Sequence, residues 1–383
     1  MGIELRTLGT KCNIGCLYCY QNPLRNSGNG NSTFDPALIK QKLEELAEPL
    51  YMWGGEPLVL DKESLEDLFA FNYEKFGENV MLTNGVLIDE EHIRIFKQYN
   101  VRVVISCDGA EELNDARWAG TLERTREATA RANRNIYRLV AAGVYVSLNF
   151  QVTRCNSAPE RIQKMFAWLQ EMDKLGISTS RLHILEVDYS KPLEPHALTL
   201  EENVNAFRAY KGFERTLEVL RFDLFCGIRD QLLVNGENMD CFWNACDPYT
   251  TEAVTGMDGQ GRMNNCGLTD REGINFQKPE HQGYERYLAL YHTPEVYGGC
   301  QGCRFFLICK GQCPGTAVAG DWRNKSGNCE VWKTLFEITE TELVSAGKLP
   351  VSLHPDLTVF ERELLDRWTN GLNERLEIFL KLK

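Results

Sequence analysis

The first half of the chain alternates between two hydrophobic periods. From Glu4 to about Val187, short aliphatic and β-branched runs alternate with longer stretches in which apolar residues recur every three to four positions. The first pattern predicts buried strands and the second predicts amphipathic helices. Asp35 and Asp61 are plausible helix starts. The strands are predicted at 3–8, 49–53, 79–83, 101–106, 144–152 and 181–187, and the helices near 35–46, 62–75, 89–98, 121–142 and 158–174.

This order predicts an α/β fold with a parallel sheet, since each strand is followed by helical sequence. A complete barrel of this kind has eight strands, and the pattern ends after Val187. We therefore expect a partial (β/α)6 barrel over residues 1–199. Its functional residues should lie at the carboxyl ends of the strands, where sites form in such sheets.

The second half of the chain changes character twice. Residues 200–240 are periodic and predict a helical connector, whereas residues 241–335 are rich in Gly, Asn, Asp and Cys and lack long periodicity. Such a region needs a source of stability other than a large core, and metal can supply it. Residues 336–383 return to amphipathic helical sequence and predict a C-terminal cap. The segment 25–32 is rich in Asn, Gly and Ser and predicts a mobile loop.

Composition narrows the possible partners. The chain has 383 residues, with 42 Lys and Arg against 54 Asp and Glu and a net charge of −12, which argues against nucleic acid. The apolar runs are too short for a membrane span, and no signal peptide is visible, so we expect a cytoplasmic protein. Fourteen cysteines in a reducing compartment are unfavourable for a disulfide framework and point to metal, as zinc or as iron–sulfur clusters.

Three cysteines follow the first strand as C-x3-C-x2-C: Cys12, Cys16 and Cys19. A [4Fe-4S] cluster that only carries electrons has a cysteine on each iron, so three cysteines leave one iron open to bind a small molecule. This motif, with Tyr18 before the last cysteine, resembles the radical S-adenosylmethionine (SAM) superfamily. The resemblance implies that SAM binds the open iron and is cleaved reductively to a 5'-deoxyadenosyl radical.

Further motifs at strand ends carry the same resemblance. They are "WGGEPL" at 53–58, "LTNG" at 82–85, "ISCDG" at 105–109, "NDARWAG" at 114–120 and "VTRCN" at 152–156. Taken singly, each could be a turn or a surface charge. By resemblance Glu56 belongs to the site of the SAM amino group, Ser106 and Asp108 contact the ribose, and Arg117 pairs with the methionine carboxylate. The implied cofactor-binding residues are Gly54, Gly55, Glu56, Asn84, Ser106, Asp108 and Arg117.

The downstream cysteines resemble the SPASM domain, a seven-cysteine extension of radical SAM enzymes. The pattern begins with C-x14-G-x4-C, formed by Cys246, Gly261 and Cys266. It continues with C-x2-C-x5-C-x3-C from Cys300 to Cys313 and ends with Cys329, and Cys241 is an added ligand. The resemblance implies two auxiliary [4Fe-4S] clusters, three in all; structural zinc sites are the alternative. One auxiliary cluster would take Cys241, Cys246, Cys266 and Cys313, and the other Cys300, Cys303, Cys309 and Cys329. Cys107, Cys155 and Cys226 are left as small apolar residues without chemistry.

Proteins of this architecture mostly modify peptides or proteins. The resemblance therefore implies a maturase that forms a C–C or C–S crosslink in a ribosomally made precursor peptide. Alternatives are an anaerobic sulfatase-maturing enzyme that makes formylglycine from Cys or Ser, a peptide epimerase, and a non-catalytic iron–sulfur electron-transfer protein. In the sulfatase-maturing group an aspartate follows the cysteine corresponding to Cys266 and acts as base. Here that residue is Gly267, and Asp270 is out of register.

The expected partners follow from this chemistry. They are a precursor peptide, an external electron donor such as flavodoxin or ferredoxin, and either a separate leader-peptide-binding protein or a sheet edge to which the leader adds as a strand. The sequence identifies no catalytic base. Glu186 and Asp258 are carboxylates near a strand end and a cysteine loop, but both are equally consistent with solvated surface residues.

Overall fold

The computed structural model describes residues 2–28, 33–187, 189, 192–235, 255–264, 266–268, 284–372 and 374–380. The chain divides into two compact units that interleave along the sequence. Unit 1 comprises Met1–Leu185, Thr216–Arg221 and Val254–Asn275, and unit 2 comprises Glu186–Arg215, Phe222–Ala253 and Phe276–Lys383. The division into 1–199, 200–240, 241–335 and 336–383 stays a prediction.

The strands form one sheet, in the order β7-β6-β5-β4-β3-β2-β1-β8-β9. Neighbouring strands from β1 to β6 pair in parallel, as predicted for an unclosed β/α barrel. The strands are β1 (Ile3–Arg6), β2 (Leu50–Met52), β3 (Asn79–Thr83), β4 (Val101–Ser106), β5 (Val146–Gln151), β6 (Thr179–His183), β7 (Arg221–Phe222), β8 (Gly256–Asp258) and β9 (Met263–Asn264).

Helices separate the parallel strands in unit 1. Asp35 and Asp61 cap two of them, each accepting hydrogen bonds from first-turn amides, which confirms the predicted helix starts. The helices are α1 (Asn22–Asn26), α2 (Pro36–Leu46), α3 (Lys62–Phe76), α4 (Glu90–Gln98), α5 (Leu122–Ala141), α6 (Arg154–Ser157) and α7 (Ile162–Lys174). Short 3-10 helices lie at Pro57–Val59 and Glu111–Asn114.

The two faces of this sheet differ in chemistry. Side chains alternate along a strand, and the parallel register places Ser106 beside Asn149, Asn149 beside Arg181, and Gln151 beside His183 on one face. The opposite face carries residues such as Leu5, Met81, Ile105, Leu148 and Leu182, all of which are buried. We name the first face, defined by Glu4, Ser106, Asn149, Arg181 and His183, the polar face.

A strand from far along the sequence extends this sheet beyond β1. β8 pairs in parallel with β1 (Glu4 with Gly256, Leu5 with Met257, Arg6 with Asp258), and β9 pairs with β8 in antiparallel orientation. The sequence pattern does not predict these strands, because they are two or three residues long and lie in the segment rich in Gly and Asp.

Unit 2 is mainly helical where it is described. α12 packs against α8 and α9. The helices are α8 (Leu200–Glu214), α9 (Asp223–Leu232), α10 (Glu285–His292), α11 (Phe306–Cys309), α12 (Cys329–Ser345), α13 (Leu357–Thr369) and α14 (Glu377–Leu380), with short 3-10 helices at Glu295–Tyr297, Pro314–Thr316, Val318–Gly320 and Val351–Leu353.

A buried arginine holds the cysteine-bearing loops of unit 2. The Arg286 side chain is fully buried and donates to the carbonyl oxygens of Trp322 (2.7 Å), Lys310 (2.8 Å), Asn324 (3.1 Å) and Gly311 (3.3 Å). These bonds satisfy carbonyl groups that belong to no regular element. Within the described part of the chain, no helix is long and apolar enough to cross a membrane.

Candidate active site

The chain leaves β1 into a loop that carries Cys12, Cys16 and Cys19. Backbone amides fix this loop to a neighbouring segment: Gly15 donates to the Trp118 carbonyl oxygen at 2.7 Å, and Leu17 donates to that of Ala116 at 2.8 Å. The loop thus rests on the segment between β4 and α5. Contacts with this segment therefore help to fix the positions of the three cysteines.

The three thiols lie close enough to influence one another's ionisation. Burial raises the pKa of Cys16 to about 12, with Arg117 acting in the opposite direction and Cys19 and Cys12 adding to the rise. Burial also raises the pKa of Cys12, to which Glu56 and Cys19 add. Binding of an iron–sulfur cluster would replace these protons by metal, since thiolates are the ligands. The set therefore suits a cluster held by three cysteines.

Arg25 contacts this loop from α1, although the sequence predicts a mobile segment from that residue onward. Its Nε donates to the Thr10 carbonyl oxygen at 3.0 Å, its Nη1 to Asn22 Oδ1 at 2.9 Å, and its Nη2 lies 3.7 Å from Cys19 Sγ. The prediction is wrong at Arg25, which lies in α1; residues 29–32 are outside the described residues. Sequence reasoning missed this residue because its partners, one backbone carbonyl and two side chains, are brought to it by the folding of the loop.

The second predicted motif packs directly beneath the cysteine loop. Gly54 and Gly55 have φ of 90° and 60°, in the left-handed region that favours glycine. A Cβ at Gly55 would lie 2.6 Å from the Lys11 carbonyl oxygen and 2.7 Å from that of Gly9. The Glu56 amide donates to the same Lys11 oxygen at 2.9 Å. Glycine at 55 thus allows the two loops to touch.

Glu56 is buried and its carboxylate is held by three donors. Oε1 accepts from the Thr83 hydroxyl at 2.6 Å and from the Leu58 amide at 3.1 Å, and Oε2 accepts from the Asn84 amide at 2.7 Å. Burial raises its pKa, and these hydrogen bonds counteract that rise. The arrangement fixes a carboxylate beside the cysteine loop, where a cationic ligand group would find a partner.

Asn84 joins the end of β3 to the cysteine loop. Its Nδ2 donates to Asn13 Oδ1 at 2.7 Å and lies 3.9 Å from Cys12 Sγ. Ser106 ends β4 and accepts from Asn149 Nδ2 at 3.3 Å. Both predicted residues therefore lie at carboxyl ends of strands in unit 1, and their contacts with SAM stay predictions.

Asp108 is the centre of a buried polar network. Its Oδ2 accepts a very short hydrogen bond from the Tyr18 hydroxyl, and its Oδ1 accepts from Arg117 Nη2 and from the Gln151 amide, both at 3.0 Å. The Arg117 guanidinium also lies 5.7 Å from the centre of the Tyr18 ring. Since Asp108 is fully buried, its described contacts orient Arg117 and Tyr18. Direct ribose contact by Asp108 stays a prediction.

Arg117 has the features of an anion-binding residue. Its Nε is buried and has no hydrogen-bond partner in the part of the chain that the structure describes. A buried donor without an acceptor is unfavourable, and a ligand carboxylate would satisfy it through the planar guanidinium. This observation fits the predicted pairing with the methionine carboxylate.

The downstream cysteines of unit 2 form a second group. The pKa values of Cys300, Cys303, Cys309 and Cys329 are all raised, chiefly by burial. For Cys309 the other three thiols add to the rise. The predicted ligand set of one auxiliary cluster is therefore gathered in one unit, and Cys313 lies in the same unit.

The ligands predicted for the other auxiliary cluster do not all lie in one unit. Cys266 belongs to unit 1, where it and Cys19 both add to the raised pKa of Tyr20, whose main cause is burial. Cys241 and Cys246 lie outside the described residues. Among those that are described, no three His, Cys, Asp or Glu side chains converge on a single-ion site. Ligands of a four-iron cluster bind separate irons and need no such convergence.

Gly267 packs against Tyr20. A Cβ at Gly267 would lie 2.8 Å from Tyr20 Oη and 2.9 Å from its Cε2. Any side chain at 267 would therefore displace the tyrosine ring. Asp258, the carboxylate noted near a cysteine loop, closes the β8–β9 turn: it accepts from the Gln260 and Arg262 amides and from the Arg262 guanidinium.

Cys107 behaves as expected for a small apolar residue. It is fully buried, and its Sγ lies 3.2 Å from the Gly109 carbonyl oxygen. Burial raises its pKa to about 11. A buried thiol of this kind is unreactive.

The class of protein follows from the three cysteines on the loop after β1, at the carboxyl edge of a parallel α/β sheet. Residues 7–150 match the model of the radical SAM superfamily. The chain therefore carries a radical SAM domain, and such a domain implies SAM and a [4Fe-4S] cluster as cofactors.

Relatives extend the match beyond this domain. The chain is 21% identical to a cysteine-type anaerobic sulfatase-maturating enzyme of Clostridium perfringens over 378 residues, 91% of this chain and 98% of the relative. It is 30% identical to Fe-coproporphyrin III synthase of Methanosarcina barkeri over 149 residues, 38% of this chain and 36% of that protein, so this match spans about a third of either chain. The chain is thus homologous to anaerobic sulfatase-maturating enzymes.

Solved structures share the fold. Native anSMEcpe with bound AdoMet and Cp18Cys peptide has a TM-score of 0.66 at 17% identity, covering 90% of this chain and 98% of that one. Streptococcus suis SuiB bound to precursor peptide SuiA has a TM-score of 0.51 at 15% identity, covering 79% and 67%. The predicted architecture is thereby confirmed at the level of the fold.

Proposed function

We propose that the chain is a radical SAM peptide maturase. It abstracts a hydrogen atom from a side chain of a ribosomally made precursor peptide and forms a C–C or C–S crosslink within that peptide. The radical SAM domain supports the class of chemistry. Gly267 supports crosslinking over formylglycine formation, because it stands where the resemblance implies an aspartate base, and a side chain there would displace the Tyr20 ring.

The cofactors have residues suited to hold them. Cys12, Cys16 and Cys19 would bind the [4Fe-4S] cluster, and Glu56 and Arg117 would bind the SAM amino and carboxylate groups. When bound, these cofactors would supply a 5'-deoxyadenosyl radical. Asp108 holds the Arg117 guanidinium in place, as its 3.0 Å ion pair indicates.

The downstream cysteines would hold two auxiliary [4Fe-4S] clusters, as the sequence predicts. The gathering of Cys300, Cys303, Cys309 and Cys329 in unit 2 supports one of them. The other requires Cys241, Cys246, Cys266 and Cys313. Fully ligated clusters would accept the electron that a substrate radical loses when the new bond forms, since such clusters bind no substrate and only transfer electrons.

The proposed substrate is a peptide. SuiB has been solved with the precursor peptide SuiA, and anSMEcpe with a peptide, which supports peptide binding by this fold. The polar face of the sheet offers hydrogen-bonding and charged side chains for such a ligand. A flavodoxin or ferredoxin would reduce the cluster, and a separate protein or a sheet edge would bind the leader.

Formylglycine formation is the second candidate. Its support is the similarity to the Clostridium perfringens enzyme over 91% of this chain. That reaction requires another base here, because Gly267 carries no side chain.

The deciding experiment is anaerobic co-expression of the chain with short peptides encoded beside its gene, followed by fragmentation mass spectrometry. A loss of two hydrogens, with fragments missing between two residues, is expected for crosslinking. An aldehyde on one Cys or Ser that reacts with a hydrazide would show formylglycine formation instead. Deuterium uptake from solvent without a loss of hydrogen would show epimerisation. Metal analysis tests the clusters: three predict about twelve irons per chain, and zinc at the downstream cysteines would exclude the auxiliary pair.

A further inference from the structure

Three side chains of the polar face form a hydrogen-bonded row across the ends of neighbouring strands. His183 Nε2 lies 2.7 Å from Asn149 Oδ1, and Asn149 Nδ2 donates to Ser106 Oγ at 3.3 Å. These residues lie on β6, β5 and β4, at the carboxyl ends where the predicted SAM contacts lie. The row connects the strand that carries Ser106 to a titratable group two strands away.

The row fixes the tautomer of the imidazole. An amide oxygen can only accept, so Asn149 Oδ1 requires the proton of His183 to be on Nε2. The other nitrogen, Nδ1, then keeps its lone pair. Nδ1 has no hydrogen-bond partner among the residues that the structure describes. The imidazole therefore presents an unoccupied acceptor with a fixed orientation.

The surroundings hold this imidazole neutral. Burial lowers the pKa of His183 to about 4, and the positive charges of Arg181 and Arg117 add to this effect. Glu4, the carboxylate on the same face of the sheet, itself has a raised pKa, caused by burial and opposed by Arg6 and Arg181. The His183 side chain is nevertheless accessible to solvent. A substrate on the polar face could therefore reach it.

We propose that His183 is the proton acceptor of this enzyme, taking onto Nδ1 the proton that the substrate loses as the crosslink forms. This inference rests on the proposed function. The substrate carbon first loses a hydrogen atom to the adenosyl radical, which becomes 5'-deoxyadenosine. The resulting carbon radical bonds to a neighbouring aromatic carbon or thiol sulfur. That ring or sulfur then loses one proton to Nδ1 and one electron to an oxidised iron–sulfur cluster, so the peptide loses two hydrogens in all.

The other carboxylates noted in the sequence fit this role less well. Asp258 is engaged by two amides and by the Arg262 guanidinium in the β8–β9 turn. Glu186 lies beyond the end of β6, outside the strands that carry Ser106, Asn149 and His183. Of these three described candidates, His183 combines a fixed orientation, an exposed side chain and a connection to a predicted SAM-binding residue.

The test compares His183→Gln with the wild-type holoenzyme and a peptide that the wild type crosslinks. Glutamine can still donate to Asn149 Oδ1 but offers no basic nitrogen. We expect 5'-deoxyadenosine formation to continue, while crosslinked product per 5'-deoxyadenosine falls about 100-fold or more, the usual contribution of a general base. His292→Gln, at an exposed helix end in unit 2, is the matched control and should leave this ratio unchanged.

The outcomes separate this inference from the proposed function. A wild-type enzyme that crosslinks no peptide overturns the proposed function and the role of His183 with it. A wild-type enzyme that crosslinks normally and a His183→Gln variant with the same ratio overturn only the role of His183. Equal loss of 5'-deoxyadenosine and product would also overturn it, since a base acts after hydrogen abstraction.

A second readout needs no turnover. Diethyl pyrocarbonate acylates neutral imidazole nitrogen, and its site on the holoenzyme can be mapped by mass spectrometry. We expect labelling of His183 at a rate that stays constant from about pH 8 to about pH 5, because an ordinary histidine with pKa near 6.5 would protonate in that range and this one would not. A rate that halves near pH 6.5, or a His183 that is never labelled, would contradict the proposed neutral and accessible state.

Discussion

The close approach of Gly55 to the cysteine loop gives a quantitative prediction. In Gly55→Ala, the new Cβ would lie 2.6 Å from the Lys11 carbonyl oxygen and 2.7 Å from that of Gly9. Both atoms are backbone, so neither can rotate away. A left-handed φ costs a non-glycine residue about 1–2 kcal/mol, and overpacking adds about 1–3 kcal/mol. We expect unit 1 to lose about 2–5 kcal/mol of stability.

Gly143→Ala provides the matched control. Gly143 has a similar φ of 77°, but nothing lies within 4 Å of its ideal Cβ position. It should therefore cost only the conformational part, about 1–2 kcal/mol. The difference between the two variants isolates the contact with the cysteine loop from the backbone strain that both share.

The assay is anaerobic calorimetry of both variants, combined with SAM binding by equilibrium dialysis. For a unit of this size, 1 kcal/mol moves Tm by about 2–4 °C. Gly55→Ala should lower Tm more than Gly143→Ala does and should also weaken SAM binding, since the loop that bears the cysteines must shift. Equal Tm losses, or unchanged SAM binding in Gly55→Ala, would refute the reasoning.

Three further predictions concern charged residues. Arg25→Leu removes the donor 3.7 Å from Cys19 Sγ. Loss of a group that orients a metal ligand should lower cluster retention or activity about 10–100-fold. Iron content after gel filtration measures the retention, and a value equal to that of the wild type would contradict this prediction. Asp108→Leu leaves the buried Arg117 guanidinium unpaired and should destabilise unit 1 by about 3–5 kcal/mol in urea unfolding; a loss below about 1 kcal/mol would show that the ion pair is dispensable. Asp89→Ala removes a helix cap and should cost about 1 kcal/mol at neutral pH. Although burial opposes ionisation, hydrogen bonds lower the pKa of Asp89 to about 2. The stability that the ionised Asp89 contributes is therefore present above about pH 4 and is lost as the pH falls towards 2. A stability difference between the wild type and Asp89→Ala that persists at about pH 2 would contradict this prediction.

The six parallel strands could be predicted from the sequence because the hydrophobic pattern of each strand lies within its own short segment. The caps at Asp35 and Asp61 were equally readable, since a cap depends on the first turn of its own helix. β8 was not predictable in this way. It exists because three residues pair with β1, and neither segment carries a signal for the other.

The same distinction applies to the candidate site. The cysteine loop and the Gly-Gly-Glu motif are contiguous in sequence, so their chemistry could be predicted before their geometry. The pairing of His183 with Asn149 depends on the register between β5 and β6, which no local pattern encodes. Arg25 was misread because a polar segment predicts a loop whether or not one of its side chains holds a neighbouring backbone.

The pairing of β1 with β8 has a consequence for synthesis of the protein. β1 leads directly into the cysteine loop, yet one of its two edges stays unpaired until Asp258 has left the ribosome. A nascent chain therefore exposes an open strand edge beside three thiols until β8 has been synthesised, and open edges invite pairing with other chains. The edge beside the cysteine loop is thus completed only by a segment that is synthesised long after the loop itself.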